Sequence, residues 1–121
     1  MPKDRRKLVG RIGEEMATQH LQKQDFKIVA RNWTCSQGEL DIIAYDENEL
    51  VFVEVRTTSG SRYGLGLESI GFRKQKKVRT VALHYMNSKH IFHTSIRFDM
   101  ISVKVDKNLA QEEIVHIKGA F

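Results

Sequence analysis

Gly38-Glu39-Leu40-Asp41 and, thirteen positions after the aspartate, Glu54-Val55-Arg56 decide how this chain folds. Leu40, Ile42 and Ala44 alternate with Glu39, Asp41, Ile43 and Tyr45, and Val51, Val53 and Val55 alternate with Phe52, Glu54 and Arg56. Period-two alternation rich in β-branched and aromatic residues predicts two strands. Asp46-Glu47-Asn48-Glu49 between them is a polar turn. A hairpin loop of two or four residues sets Tyr45 opposite Leu50. Counting outward, Ile43 faces Phe52, Asp41 faces Glu54 and Glu39 faces Arg56. Opposed side chains share one side of the sheet with Cβ atoms about 4.5–5.5 Å apart, so two carboxylates meet beside Ile43 and Phe52. An odd loop would flip one strand and remove the pairing. Like charges in direct opposition destabilise a sheet, and acid on a partly buried face is costly. A divalent cation turns that repulsion into a chelate. A shared proton or an Arg56 ion pair also satisfies the acids, and a solvated charged face is the plain alternative. Large apolar groups on both faces point to central strands covered on both sides.

Working outward, residues 4–24 read as a helix. Leu8, Ile12 and Met16 form one stripe, and Gly10, Glu14, Ala17 and Leu21 another. Gly10, Gly13 and Ala17 are small enough to let this helix lie close to a sheet. Glycine inside a helix costs about 1 kcal/mol, which calls for a packing or functional reason. Glu14 shares the small-residue stripe; an exposed glutamate is its alternative. Residues 26–33 read as a first strand. Residues 57–71, with Gly60, Gly64, Gly66 and Gly71, read as a mobile loop at the mouth of a site or as an ordinary long connection. Residues 72–86 read as a second helix with Val78, Val81, Ala82 and Tyr85 inward and a basic start of Arg73, Lys74, Lys76, Lys77 and Arg79. Such a cluster neutralises phosphates or is simply a solvated face. Gln75 falls on the inward side. Residues 94–105 and 113–118 read as two more strands, with Arg97 and Asp99 on one face. The order is helix, three strands, helix, two strands, which predicts one α/β sandwich domain around a mixed sheet.

The 121 residues suffice for one domain with a core. A hydrophobic content of 40% and a charged content of 29% are ordinary for a soluble protein. No apolar run is long enough to span a bilayer, and the basic start lacks the apolar segment of a secretory signal. Cys35 is the one cysteine, so there is no internal disulfide and no cysteine-based zinc cluster. Cys35 reads as structural, and the composition fits a reducing cytoplasm. The net charge of +5 and pI near 9.5 favour a polyanionic partner. No Gly-rich loop ending in Gly-Lys-Ser/Thr and no Gly-x-Ser-x-Gly elbow is present, which argues against an ATPase and a serine hydrolase. The five histidines form no zinc pattern.

Gly10-x-x-Gly13-Glu14-x-x-Ala17, Arg31-Asn32-Trp33, Gly38-Glu39-Leu40-Asp41, Val51-Phe52-Val53-Glu54-Val55 and Arg97-Phe98-Asp99 together resemble the YraN-like family. These are small bacterial proteins predicted as endonucleases and similar to archaeal Holliday-junction resolvases. The resemblance runs from about Gly10 to Val103. It implies a restriction-endonuclease-like fold, a three-layer sandwich with a central mixed sheet flanked by helices, and a PD-(D/E)xK type of site. In that pattern the aspartate is Asp41, the second acid Glu54 and a helical glutamate Glu14. Val55 would offer its carbonyl to the metal. The usual lysine position holds Arg56, a departure from the pattern. The resemblance further implies DNA, branched or junction structures included, as substrate, and a homodimer, because a four-way junction needs two symmetric cuts.

Hard oxygen ligands suit Mg²⁺ or Mn²⁺, which would activate a water and polarise the phosphoryl oxygen. Arg56 cannot act as a general base, because its pKa lies above about 12. It would stabilise phosphate charge through its planar fork, or else pair with Glu39 as structure. Arg73, Lys74, Gln75, Lys76 and Lys77 are the candidate nucleic-acid contacts. A nucleic-acid-binding module that keeps the fold without the chemistry is the alternative reading, with a protein-binding adaptor a third.

Overall fold

The computed structural model describes residues 3–59 and 70–121. The chain runs α1 (Lys3–Lys23), β1 (Lys27–Cys35), β2 (Gly38–Asp46), β3 (Glu49–Ser59), α2 (Phe72–Ser88), β4 (Ile96–Val105) and β5 (Gln111–Ile117). This is the predicted order of elements. The strands form one mixed sheet in the order β1-β2-β3-β4-β5, antiparallel except where β3 runs parallel to β4. Parallel neighbours need a crossover connection, and α2 lies within it.

The two helices cover opposite faces. Val9, Ala17 and Leu21 of α1 pack on Ile42, Ala44, Val51 and Val53. Val78, Val81, Ala82 and Tyr85 of α2 pack on Ile43, Leu50, Phe52 and Phe98. Ile42, Ile43, Val51 and Phe52 are fully enclosed, which explains why β2 and β3 are apolar on both sides.

Local structure departs from the sequence reading in several places. Phe26 precedes β1: its N–H donates to the Leu21 carbonyl at 2.9 Å, and its ring is buried. Thr57, Thr58 and Ser59, expected in a loop, extend β3, because the parallel ladder continues through Val103, Lys104 and Val105. The glycines at 60, 64 and 66 lie outside the described residues. Gly10 also departs from its expected role, since nothing among the described residues stands within 4 Å of a Cβ built there.

Gly13 behaves as expected of a contact glycine. A Cβ built on it overlaps the Thr57 side chain of β3, lying 2.7 Å from the Thr57 Cβ. Gly13→Ala is therefore expected to destabilise the protein by about 1–3 kcal/mol, the usual penalty for overpacking, despite alanine's better helix propensity. Denaturant melts of the single variant and of Gly13→Ala/Thr57→Ala check this. The double variant should recover only part of the loss, because it removes the Thr57 Oγ1 and Cγ2 but leaves the Cβ.

Candidate functional site

The β2–β3 hairpin has the predicted register, with Tyr45 opposite Leu50 and Ile43 opposite Phe52. The ladder ends at Ile42 opposite Val53, one residue short of Asp41. On its other side, β2 pairs Ile42 with Arg31 and Leu40 with Trp33, which leaves Asp41 and Asn32 out of the register as well. Asn32 takes φ +51, a left-handed conformation that asparagine tolerates better than most residues. The pairing of β1 with β2 is interrupted at this point. Leu40 joins Ile43 in the α2-side core, against the strict alternation expected of β2. Irregularities of this kind re-aim side chains beside functional sites.

Asp41 turns to β3 instead. Its Oδ2 accepts the Val55 N–H at 2.8 Å. The Asp41 backbone N–H in turn supports the Glu54 carboxylate. The predicted meeting of the two acids therefore holds, through main-chain N–H groups donating to each carboxylate rather than a continued ladder. The predicted pairing of Glu39 with Arg56 is not part of the register: Glu39 sits opposite Thr34 on β1.

Glu54 is 6% exposed. Its Oε1 lies 3.4 Å from the Lys74 ammonium, while Oε2 is buried without a hydrogen-bond partner among the described residues. Burial first, and then the charge of Asp41, push its pKa up to about 7; Lys74 and the Asp41 N–H oppose the shift without cancelling it. Burial also raises Asp41, against the pull of the Val55 N–H and of Lys74. Glu14 is raised by partial burial and by Asp41, while a hydrogen bond with Asn32 and the charge of Arg31 work the other way. Asp41 thus disfavours the ionisation of both Glu14 and Glu54, and Glu39 disfavours that of Asp41 and Glu14.

Asp41, Glu54, Val55, Arg56 and Lys74 line one cavity of about 480 Å³. Glu14 does not line it and approaches Asp41 from the α1 side. Lys74 and Lys77 line a second cavity next to it. Arg73 and Lys76 are exposed and line neither cavity. Gln75 is half-buried as predicted, and its Nε2 donates to the Ile70 carbonyl at 2.6 Å. Among the described residues, no group of three or more His, Cys, Asp or Glu side chains is gathered for metal binding. No helix among them is long and apolar enough to cross a membrane.

The sequence placed Lys74 in a general phosphate-binding patch; the structure puts its ammonium on the acidic pair. Arg31-Asn32-Trp33 gains a physical meaning too. Arg31 holds Glu15 at 2.9 Å, Asn32 holds Glu14, and Trp33 packs edge-on against Tyr85 with ring centroids 5.2 Å apart. Three adjacent residues thereby tie β1 to both helices around Asp41.

The model of the uncharacterised protein family UPF0102 matches residues 13–103. The chain belongs to this family. A UPF0102 protein of Pelotomaculum thermopropionicum is 42% identical over 118 residues, covering 98% of each chain. One of Caldanaerobacter subterraneus subsp. tengcongensis is 39% identical over the full length of both. One of Desulforamulus reducens is 44% identical over 117 residues, covering 95% of this chain and 96% of the relative. The UPF0102 match takes in Gly13, Glu14, Asp41, Glu54, Arg56 and Lys74, so the whole candidate site falls within it.

Proposed function

We propose that this chain is a metal-dependent endonuclease with a restriction-endonuclease-like fold, hydrolysing phosphodiester bonds in DNA. The observation that carries this reading is the pair of carboxylates, Asp41 and Glu54, held against their own repulsion at a cavity wall, with one buried Glu54 oxygen unpartnered among the described residues. Structural acids are ordinarily satisfied when buried. Strongly shifted, mutually coupled acids in a cleft mark functional sites.

The residues fit a hard divalent cation. Mg²⁺ commonly takes one or two carboxylates and fills its remaining positions with water and substrate phosphate, so a third protein ligand is not required. Asp41 and Glu54 would hold the ion, with the Val55 carbonyl beside them. When bound, Mg²⁺ or Mn²⁺ supplies Lewis-acid charge at the phosphate and acidifies a water. Glu14, steadied by Asn32, is assigned to orienting the water. Arg56 and Lys74 meet the charge of the phosphodiester, Arg56 through its planar fork and Lys74 as a point charge. The basic start of α2 draws in the polyanion. Junction or flapped DNA and a homodimer follow from the family resemblance.

The rival reading, a nucleic-acid-binding module without chemistry, draws on Lys74, whose ammonium already offsets Glu54. Cleavage of a labelled panel of single-stranded, duplex, flapped and four-way-junction DNA with Mg²⁺, Mn²⁺ or EDTA separates the two. Metal-dependent cutting that is lost in Asp41→Asn supports the nuclease; binding without cutting supports the module.

Lys74→Ala is expected to lower cleavage by about 10–100-fold, the size of a lost charged hydrogen bond. Lys74 is more than half exposed, so its stabilising effect at pH 8 is under about 1 kcal/mol. The part of that effect exerted on Glu54 is lost at pH 5, where Glu54 is protonated with or without the lysine. Cleavage rates and melts at the two pH values test both parts.

A further inference from the structure

The second cavity, about 430 Å³ in volume, shares Asp41 and Lys74 with the first. The two are therefore lobes of one groove, with the acid and the ammonium at the saddle. Cys35, Gly38, Glu39 and Lys77 line the second lobe. Gly38 takes φ +144, and a Cβ placed there would lie 3.2 Å from the Lys77 Cε and 3.1 Å from the Val81 Cγ2. The missing side chain of Gly38 thus makes room for the Lys77 stem, which passes the start of β2 and lines the lobe. Lys74 and Lys77 lie three residues apart on α2, neighbours on one helix face, and both reach the same groove.

Resting on the nuclease reading of the first lobe, we propose that the second lobe seats the nucleotide adjoining the scissile phosphodiester, with Lys77 on that nucleotide's phosphate. The strand then runs through both lobes and the cut is internal. Glu39, exposed at the rim, disfavours phosphate on its own side and steers it toward Lys77. Its carboxylate is free to accept from a base amino group or a sugar hydroxyl.

Cys35, the sole cysteine, reports occupancy of this lobe. Alkylation by N-ethylmaleimide is followed by mass spectrometry in EDTA, beside fluorescence anisotropy of the same samples, with a single-stranded DNA oligonucleotide or thymidine 5′-monophosphate. The oligonucleotide at saturation is expected to slow alkylation at least about tenfold, and the mononucleotide to leave it unchanged. Lys77→Ala is expected to weaken oligonucleotide binding about 3–10-fold and to flatten the log–log salt dependence by about 0.7, one single-strand phosphate contact; Lys89→Ala serves as the control and should change neither. Saturated binding with Cys35 unprotected, or an unchanged salt slope in Lys77→Ala, overturns the second lobe and leaves the nuclease reading standing. Protection without cleavage when Mg²⁺ is added supports the lobe and removes the nuclease reading. No binding at any salt overturns both.

Discussion

Glu54→Gln is expected to abolish metal-dependent cleavage and, in the same protein, to raise the melting temperature at pH 8. The two effects share one cause. The folded pKa of Glu54, pushed up to about 7 by burial and by Asp41, lies above that of the unfolded chain, so the folded state holds the proton more tightly. The contribution of Glu54 to stability is then greatest below about pH 4.5, falls as pH rises toward 7, and stays low above it. At 1.36 kcal/mol per pKa unit the penalty at pH 8 is roughly 3 kcal/mol. Glutamine mimics the protonated acid and lacks that penalty, so the melting temperature should rise by at least about 5 °C at pH 8 and be unchanged at pH 4. Activity should fall at least about 100-fold, since even the residues that support metal ligands cost 10–100-fold. Asp41→Asn should behave alike, because its amide oxygen can still accept the Val55 N–H. In wild type, added Mg²⁺ or Mn²⁺ should raise the melting temperature at pH 8 and do little to the glutamine variant. A variant that still cuts DNA, or that melts lower at pH 8, would remove Glu54 from the site.

Asp99→Ala is expected to cost about 3–5 kcal/mol, the scale of breaking a buried ion pair, and to leave the acidic site chemically intact. Asp99 is fully buried and accepts from Arg97 Nε at 2.8 Å and Nη2 at 2.9 Å, pairs with His116 Nε2 at 2.8 Å, and accepts from the Gly119 N–H at 3.0 Å. Arg97 also reaches Asp46 at 3.0 Å and Glu49 at 2.9 Å, so the cluster joins the β2–β3 turn to the end of the chain. Burial alone would raise Asp99; the hydrogen bonds from His116, Arg97 and Gly119 outweigh it and hold the acid at about 2. Its stabilising contribution is therefore complete above about pH 4 and is lost as pH falls toward 2. Chemical denaturation should show the full deficit of Asp99→Ala at pH 7 and at pH 5, narrowing only below pH 4. A deficit under about 1 kcal/mol at pH 7 would show that the cluster contributes little.

Asp41 and Glu54 were legible because a hairpin register is local: the alternation of Ile43 and Phe52, together with a polar turn, determines which letters meet. The face shared by Arg97 and Asp99 was legible for the same reason. Their partner His116 was not, since β5 joins β4 through pairings that composition does not encode. Lys74 was visible as one basic residue among five; its contact with Glu54 depends on how α2 docks across the crossover. The break in pairing at Asn32 and Asp41 left no periodic signal, because a single positive φ disturbs the pattern no more than a neutral substitution would. The strand at Thr57–Ser59 was hidden by its small polar residues, which β4 alone makes extended.

The parallel seam between β3 and β4 bears on how the molecule assembles in time. It pairs Leu50 with Ile96, 46 residues further along the chain, whereas β1, β2 and β3 are joined by short turns. Contacts near in sequence close quickly and distant ones slowly. The three-strand meander should thus form first and bring Asp41 and Glu54 together before β4 docks, so the carboxylate repulsion opposes the early step as well as the finished fold. Refolding at pH 5, where burial leaves Glu54 protonated, should then be faster than at pH 8, and Glu54→Gln should erase much of the difference.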